Sequence, residues 1–561
     1  MPAEEVKEQY IVKSTRDPIK IPELTLSEYL YQKISAQDPE RIALIDSQDG
    51  TKLTYEQLNR KIQQYGQGFL NSGITKTDSI LFFADNNLEY FYSQFALIYL
   101  GVVFVPTSPG DGAYELANKL PDSNASILII DRCHVETVLF PALENEKYAS
   151  VIKKLKKIII FDSDENMEMI QKLKQHPKTP EQIISIKQIS ENQSDHLERI
   201  PYFETSKDDC LFIVYTSGTT GLPKGVIHTH FTMVSLIELY KPVICPAIYS
   251  FWFPMGHISG SIISCYNLCY GMTLVLEADY NLENLLSSVE KYKITQLVMS
   301  PSHSTDLARE NFHLKYNLES LRMISYGGSK VPQEHIDEIQ QKYNVMMFNM
   351  YGSSEMMGPT CMCFDGTDPP GTVGRPISNC EIKIVDLKTG QNLPPNSHGE
   401  LCCRGPQRFV GYLNNEEATA KTIDSNGWYH SGDLAYFDEQ GNLFIMDRIK
   451  EMIKFRFWSV SPIEVEEFLS GHPAVDAVCV VGVKHQIEGQ WLRAYVEIRP
   501  GHQITEQELI KYAKDNLGFQ RQLRAGVKFV KQLGRTSIGK VDRKLCRKWI
   551  EHELLTDPVE D

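Results

Sequence analysis

The 561-residue chain carries 57 Lys and Arg against 72 Asp and Glu, a net charge of −15, and is 42% hydrophobic. That balance excludes a broad basic face for nucleic acid, and the ordinary composition excludes fibrous and low-complexity classes. At this length the expectation is one large compound unit with at least one smaller domain.

Met1–Arg16 is charged and lacks the apolar stretch of a secretory leader, so residues 1–25 are read as an N-terminal arm. Leu53–Gly73 has Tyr55, Leu58, Ile62 and Phe69 on roughly one face, which predicts an amphipathic helix. Ser79–Ala84 is a short apolar run suited to a buried strand. Leu88–Leu100 reads as helix and Val102–Pro106 as strand. The longest apolar run, near Phe95–Pro106, is far shorter than the roughly 20 residues a membrane helix needs. Strand-like segments recur at Ile127–Ile130, Ile158–Phe161 and Leu211–Tyr215. Such alternation of strand and helix implies parallel sheets covered by helices. The rest of Val151–Pro201 is mostly polar and charged, which predicts a surface excursion.

From Gly371 to Met446 the texture changes. Glu381–Asp386, Gly399–Arg404 and Asn442–Met446 are short strands between Gly, Pro and Asn turns, as in a β-rich subdomain. After Asp447 the pattern is that of a compact α+β unit. Ile463–Gly471 and Glu506–Asn516 read as helices, Val475–Val483 and Ala494–Arg499 as strands. The boundary falls at Asp447–Lys450.

The 12 Cys lie in apolar runs without the regular spacing of a disulfide framework. Cys361, Cys363, Cys402 and Cys403 have no second ligand pair at zinc spacing and read as small core hydrophobes. The chain ends Val-Glu-Asp, without a peroxisomal address, and is expected to be cytoplasmic.

One stretch carries chemistry on its face. Tyr215-Thr-Ser-Gly-Thr-Thr-Gly-Leu-Pro-Lys-Gly-Val226 follows an apolar strand. Gly218, Gly221 and Gly225 let the backbone turn tightly and bring N–H groups near a ligand. Thr216, Ser217, Thr219 and Thr220 add hydroxyl donors, and Lys224 adds a cation. Donors plus one positive charge suit a polyphosphate. Lys224 is followed by Gly, not Ser or Thr, so this is not a Walker loop.

The stretch resembles the signature loop of the adenylate-forming superfamily, which includes acyl-CoA synthetases, 4-coumarate-CoA-type ligases, beetle luciferases and peptide-synthetase adenylation domains. The resemblance runs from Leu53-Thr-Tyr-Glu-Gln-Leu58 to Gly539-Lys540, with the texture of the luciferase and 4-coumarate-ligase branch at Gly399–Pro406, Gly427–Asp433 and Asp447–Lys450. It implies an α/β fold. A large N-terminal domain (26–446) has two helix-covered sheets plus the β-rich subdomain. A hinge (447–450) joins it to a small mobile α+β C-terminal domain (451–561). It also implies a reaction in two halves. A carboxylic acid and Mg-ATP give acyl-AMP and pyrophosphate, and coenzyme A then takes the acyl group.

By resemblance Tyr351-Gly352-Ser-Ser354-Glu355 supplies adenine stacking through Tyr351, an α-phosphate hydroxyl through Ser354 and a Mg²⁺ ligand through Glu355, a hard carboxylate oxygen being apt for that ion. Tyr326-Gly327-Gly328-Ser329 resembles the wall on adenine's other face. Asp433 corresponds to the carboxylate that takes both ribose hydroxyls, with Arg448 beside it. Lys540 corresponds to the catalytic cation that bridges carboxylate and α-phosphate, lowering their repulsion. Phe253-Pro-Met255-Gly-His257 resembles the segment lining the acyl pocket, with Tyr326 and Met350 nearby. These mostly apolar groups favour a fatty or aryl acid, and Met adapts its shape to the ligand. His228 and His230 are read as structural.

Lys450 corresponds to the hinge, and the segment after it serves the second half-reaction. There the chain departs from the pattern: Phe457 stands where Gly is usual, Gln490 and Leu492 where Glu and Pro are common. Gly534 replaces a common Pro, and Lys330 replaces the Pro after the Gly-rich wall. Lys454 is the residue type luciferases use in oxidation. The principal expectation is therefore an acyl-CoA ligase. An adenylation-only or non-catalytic member and a luciferase-type monooxygenase stand as alternatives.

Overall fold

The computed structural model describes residues 9–556 other than 108–109, 162–166, 192–198, 217–222, 241–245, 278–280, 300, 329, 364–365, 367, 456–457, 486–487, 518 and 537–538. Ser79–Phe83, Val103–Pro106, Ile127–Asp131 and Lys157–Phe161 lie parallel in an eight-stranded sheet. Every residue from Ser79 to Phe83 is buried, as a strand covered on both faces requires. Ile80 and Phe82 join one apolar cluster while Leu81 and Phe83 join another, as the two-residue repeat of a strand dictates.

The nine-stranded second sheet has Gln296–Met299, Met323–Gly327 and Met346–Ser353 as parallel neighbours. It shares a core with the first. The cluster holding Phe82, Phe104 and Phe212 also holds Leu44, Tyr249 and Leu274. Helices Leu26–Ser35, Tyr55–Asn71, Leu88–Leu100, His230–Leu239 and Ile258–Cys269 supply much of the rest of that cluster, which explains why every residue of Leu88–Leu100 after Glu89 is buried. Helices Leu282–Tyr292, Pro301–Arg309 and Gln333–Tyr343 cover the outer face of the second sheet.

The helix expected near residue 53 runs Tyr55–Asn71. Thr54 and Gln57 form a reciprocal capping box at its start, and Tyr55, Leu58, Ile62 and Phe69 are buried together as the spacing predicts.

The region Val151–Pro201 corrects its expectation. Ile183–Ser185 is the edge strand of the eight-stranded sheet, and Met169, Ile170, Leu173, Ile183, Ile186, Ile189 and Ile200 are buried. The apolar residues are spaced on short elements among charged ones, so average polarity hid one buried face per element.

The β-rich subdomain is a five-stranded antiparallel sheet, ordered Val12–Lys13, Glu381–Val385, Gly399–Arg404, Tyr429–Phe437 and Leu443–Arg448. The N-terminal arm thus contributes a strand. Tyr429–Phe437 had been legible only as a motif. A further five-stranded sheet is built on the long hairpin Val475–His485 and Gly489–Ile498. Helices Pro462–Ser470 and Glu506–Asn516 pack on one face of it and helix Arg543–Thr556 on the other. No described helix is long and apolar enough to cross a membrane.

Candidate active site

The C-terminal ends of the parallel strands Met323–Gly327 and Met346–Ser353 lie side by side, with Gly327 opposite Met350. Such edges are where ligands bind in α/β sheets. A Cβ on Gly327 would lie 2.7 Å from the Met350 carbonyl, and one on Gly352 would lie 2.1 Å from the Gly358 carbonyl, so neither position admits a side chain. Gly328 is in the left-handed region, at φ +82.

Lys540 comes to this edge from the last sheet. Its loop is a tight turn. Thr536 N–H donates to the Lys540 carbonyl at 2.7 Å, and Lys540 N–H donates to Thr536 Oγ1 at 3.2 Å. Lys540 Nζ lies 2.8 Å from the ideal Cβ position of Gly328. Burial, and then the neighbouring Arg448, push its ammonium pKa down to about 8, with Asp433 opposing.

Asp433 is buried between two partners. Tyr351 OH donates to its Oδ2 at 2.5 Å, and Arg448 Nε contacts its Oδ1 at 2.6 Å. Burial raises its carboxyl above the usual range, against the pull of Arg448 and Tyr351. The strand is distorted to aim it. Gly432 has φ +72, and Glu400 Oε1 accepts from Gly432 N–H at 3.1 Å. The other oxygen of Glu400 pairs with His430 Nδ1 at 2.8 Å.

A second group lies beside Lys224, at the described end of the Gly-rich loop. Lys224 Nζ is 4.8 Å from the Tyr412 ring centre, and Tyr412 OH donates to Glu355 Oε1 at 2.8 Å. Glu355 Oε2 has no hydrogen-bond partner among the described residues. Ser354 opens the short turn Ser354–Met356, and its carbonyl accepts from His228 Nε2–H at 2.7 Å. Burial lowers the His228 and His230 pKa values to about 4, and His230 Nδ1 accepts from Leu26 N–H at 3.1 Å. Both rings are buried and held by backbone hydrogen bonds. Thr216 ends its strand opposite Lys224. Ser217, Gly218, Thr219, Thr220, Gly221 and Ser329 lie outside the described residues.

His257 caps helix Ile258–Cys269, with Nδ1 accepting from Ser259 N–H at 3.2 Å. Burial, then Lys540, lower its pKa to about 4, which places a neutral imidazole within the field of that cation. Phe253 stacks on Trp252 with ring centres 4.0 Å apart. Met255 is buried in the shared core, while Tyr326 and Met350 flank the Gly327 edge. Asn86, which the sequence did not single out, holds this segment from the other sheet. Its amide donates to the Phe253 carbonyl and accepts from Met255 N–H, both at 2.8 Å.

The structure therefore gathers Gly327, Gly328, Tyr351, Asp433, Arg448, His257 and Lys540 in one place, with Lys224 and Glu355 in a second, linked group. Lys450 is exposed just after strand Leu443–Arg448. Lys454 is exposed on strand Ile453–Phe455 of the small sheet, its N–H donating to Gln490 Oε1 at 2.9 Å. Phe457 lies outside the described residues. Cys361, Cys363 and Cys403 are buried in apolar clusters, whereas Cys402, also buried, has its Sγ 3.4 Å from His430 Nδ1, close to Glu400.

Two family models match. One described as AMP-binding enzyme covers residues 31–413, and one described as AMP-binding enzyme C-terminal domain covers 464–540. A 4-coumarate–CoA ligase of Vanilla planifolia is 30% identical over 560 residues, 97% of each chain. 4-Coumarate–CoA ligase 2 of Nicotiana tabacum is 30% identical over 554 residues, 96% of each chain. Among solved structures, o-succinylbenzoate CoA synthetase of Bacillus subtilis with its acyl-adenylate intermediate is 26% identical, with a TM-score of 0.75 over 92% of this chain and 97% of that one. ATP-bound MatB from Rhodopseudomonas palustris is 21% identical and shares the fold, with a TM-score of 0.81 over 94% and 99% of the two chains.

Proposed function

The chain belongs to the AMP-binding enzyme family, and from that premise we propose that it is an AMP-forming acid–thiol ligase, activating a hydrophobic acid with ATP and passing the acyl group to coenzyme A. The observation that carries this reading is the placement of Lys540 against Gly328, within the field of Asp433, Arg448 and His257.

In the first half-reaction a carboxylate oxygen attacks the α-phosphorus of ATP. A new P–O bond forms, the bond to the β-phosphate oxygen breaks, and pyrophosphate leaves. Two anions must approach, and Lys540 offsets their charge while stabilising that which develops at phosphorus. Asp433 accepts the ribose hydroxyls, its two oxygens matching a vicinal diol, with Arg448 fixing its rotamer. Gly327 and Gly328 let the base lie flat between the backbone and Tyr351. Lys224 and the loop before it receive the outer phosphates, and the Ser354 hydroxyl meets the α-phosphate. Glu355, with one carboxylate oxygen held by Tyr412 and the other without a partner among the described residues, is suited to hold Mg²⁺, which would neutralise phosphate charge. In the second half the CoA thiol gives up its proton to solvent, its sulfur attacks the acyl carbon, and AMP leaves with the electrons of the broken anhydride bond. Rotation about Lys450 withdraws Lys540 and brings in the segment of Lys454 and Phe457.

Apolar Phe253 and Met255 in the segment of His257, with Tyr326 and Met350 at the Gly327 edge, support a fatty or aryl acid. The names of the relatives, which are ligases of 4-coumarate, favour an aryl acid among these. The test supplies the protein with Mg-ATP and a panel of fatty, cinnamic and benzoic acids, with and without CoA, and follows AMP and thioester by mass spectrometry. Thioester from an apolar acid supports the proposal. AMP without thioester in the presence of CoA would restrict the reading to adenylation alone.

A further inference from the structure

Two ion pairs join the large unit to the small C-terminal one whose loop carries Lys540. Arg309, on helix Pro301–Arg309, contacts Asp476 of strand Val475–His485 at 2.5 Å, with side chains 23% and 33% exposed. Lys330 Nζ lies 3.1 Å from Glu467 Oε1 on helix Pro462–Ser470. The same interface brings Arg535 into the field of His303 and Asp306, the latter also facing Asp476. Asp306 meets a like charge in Asp476 and an opposite one in Arg535, so the attraction across this interface rests on the two ion pairs. Lys330 stands two residues beyond Gly328. One short segment therefore gives Lys540 its space and also carries a cation that grips the unit delivering Lys540. Lys330 is also a position at which the chain departs from the pattern of the family it resembles.

We propose that Arg309 and Lys330 are positioning residues that dock the small sheet with Lys540 at the active site, favouring the adenylating arrangement over the one that serves the thiol. The proposal rests on the adenylation reading above for its consequence, but not for its geometry. Partly exposed ion pairs add little to a fold. A choice between two packed arrangements of similar free energy needs only a modest bias, and two pairs acting together supply one. Their loss frees the sheet without unfolding either unit.

The experiment compares the full-length wild type with Arg309→Glu, Lys330→Glu and the exchanged pair Lys330→Glu/Glu467→Lys. Two quantities are read: acetylation of Lys540 by acetic anhydride, measured by peptide mass spectrometry, and acid-dependent pyrophosphate exchange. Thermal unfolding serves as the control for folding. The single variants should unfold at the wild-type temperature, label Lys540 about three- to tenfold faster and exchange more slowly by a similar factor. The exchanged pair should restore both. Unchanged labelling in the single variants, or no restoration in the exchanged pair, overturns the proposal. If labelling behaves as stated while no acid supports exchange even in the wild type, docking stands and the adenylation reading falls.

Discussion

Lys540 Nζ lies 2.8 Å from the point where a Cβ on Gly328 would sit. The obstructing atom is the far end of a flexible side chain, so Gly328→Ala displaces the ammonium rather than the backbone. The left-handed φ of +82 adds roughly 1–2 kcal/mol of strain. Displacing a catalytic group by an ångström costs about 100-fold. Gly328→Ala should therefore lower pyrophosphate exchange by about that factor. Thioester formation from a supplied acyl-adenylate should keep most of its rate, since Lys540 is withdrawn in that half. Equal losses in both halves would contradict this.

The proposed adenylation step needs Lys540 charged, and burial and Arg448 lower its pKa to about 8. The charged form predominates below that pH and is lost above it. The kcat/KM of adenylation, which reports the free enzyme, should therefore fall above about pH 8. Bound phosphate favours the charged form, so the limb in kcat should lie at higher pH. The effect on docking has the opposite sign. A lysine pKa lowered from 10.5 makes the docked state bind fewer protons, so docking strengthens as pH rises through this range. Loss of rate above pH 8 with Lys540 still protected from acetylation would show the two effects separately.

Asp433 holds Arg448 at 2.6 Å and opposes the lowering of the Lys540 pKa. Asp433→Asn removes a charged acceptor worth about 1.5–3 kcal/mol per hydrogen bond. The KM for ATP should rise about 10- to 100-fold with the KM for the acid little changed. The alkaline limb should move to lower pH, because a charge favouring the ammonium is gone. Steady-state kinetics at several pH values check both parts.

His257 caps its helix and faces the field of Lys540. Asn also caps helices well, whereas Ala costs about 1 kcal/mol at such a position. Thermal unfolding should therefore separate His257→Asn, near the wild type, from His257→Ala. Both should raise the KM for the acid about five- to tenfold, the loss expected for one hydrogen bond or close contact. An unchanged acid KM in both would leave His257 only its capping role.

Local elements were legible because their signals are local. Leu88–Leu100 and Glu506–Asn516 start and stop where the sequence places them. The buried face of Met169–Ile189 was not, because its apolar residues are spread over three short elements whose pairing is set by distant strands. In the site, Lys540, Asp433 and Arg448 were reached through motif order, and their spacing in the chain gave no hint that Lys540 rests on Gly328. Asn86 escaped because its role is to hold the backbone of Phe253 and Met255 from a different sheet. Nothing in Asp85–Asn87 announces that. Lys330 registered only as a departure, and Glu467 gives it a partner.

Acid-dependent exchange of labelled pyrophosphate into ATP, in the wild type and in Lys540→Ala, shows whether Lys540 serves adenylation of a carboxylic acid. Exchange with at least one apolar acid is expected in the wild type. In the variant it should fall about 100-fold or more, the scale for removing a preorganised charge-stabilising group. Exchange undiminished in Lys540→Ala would contradict that role.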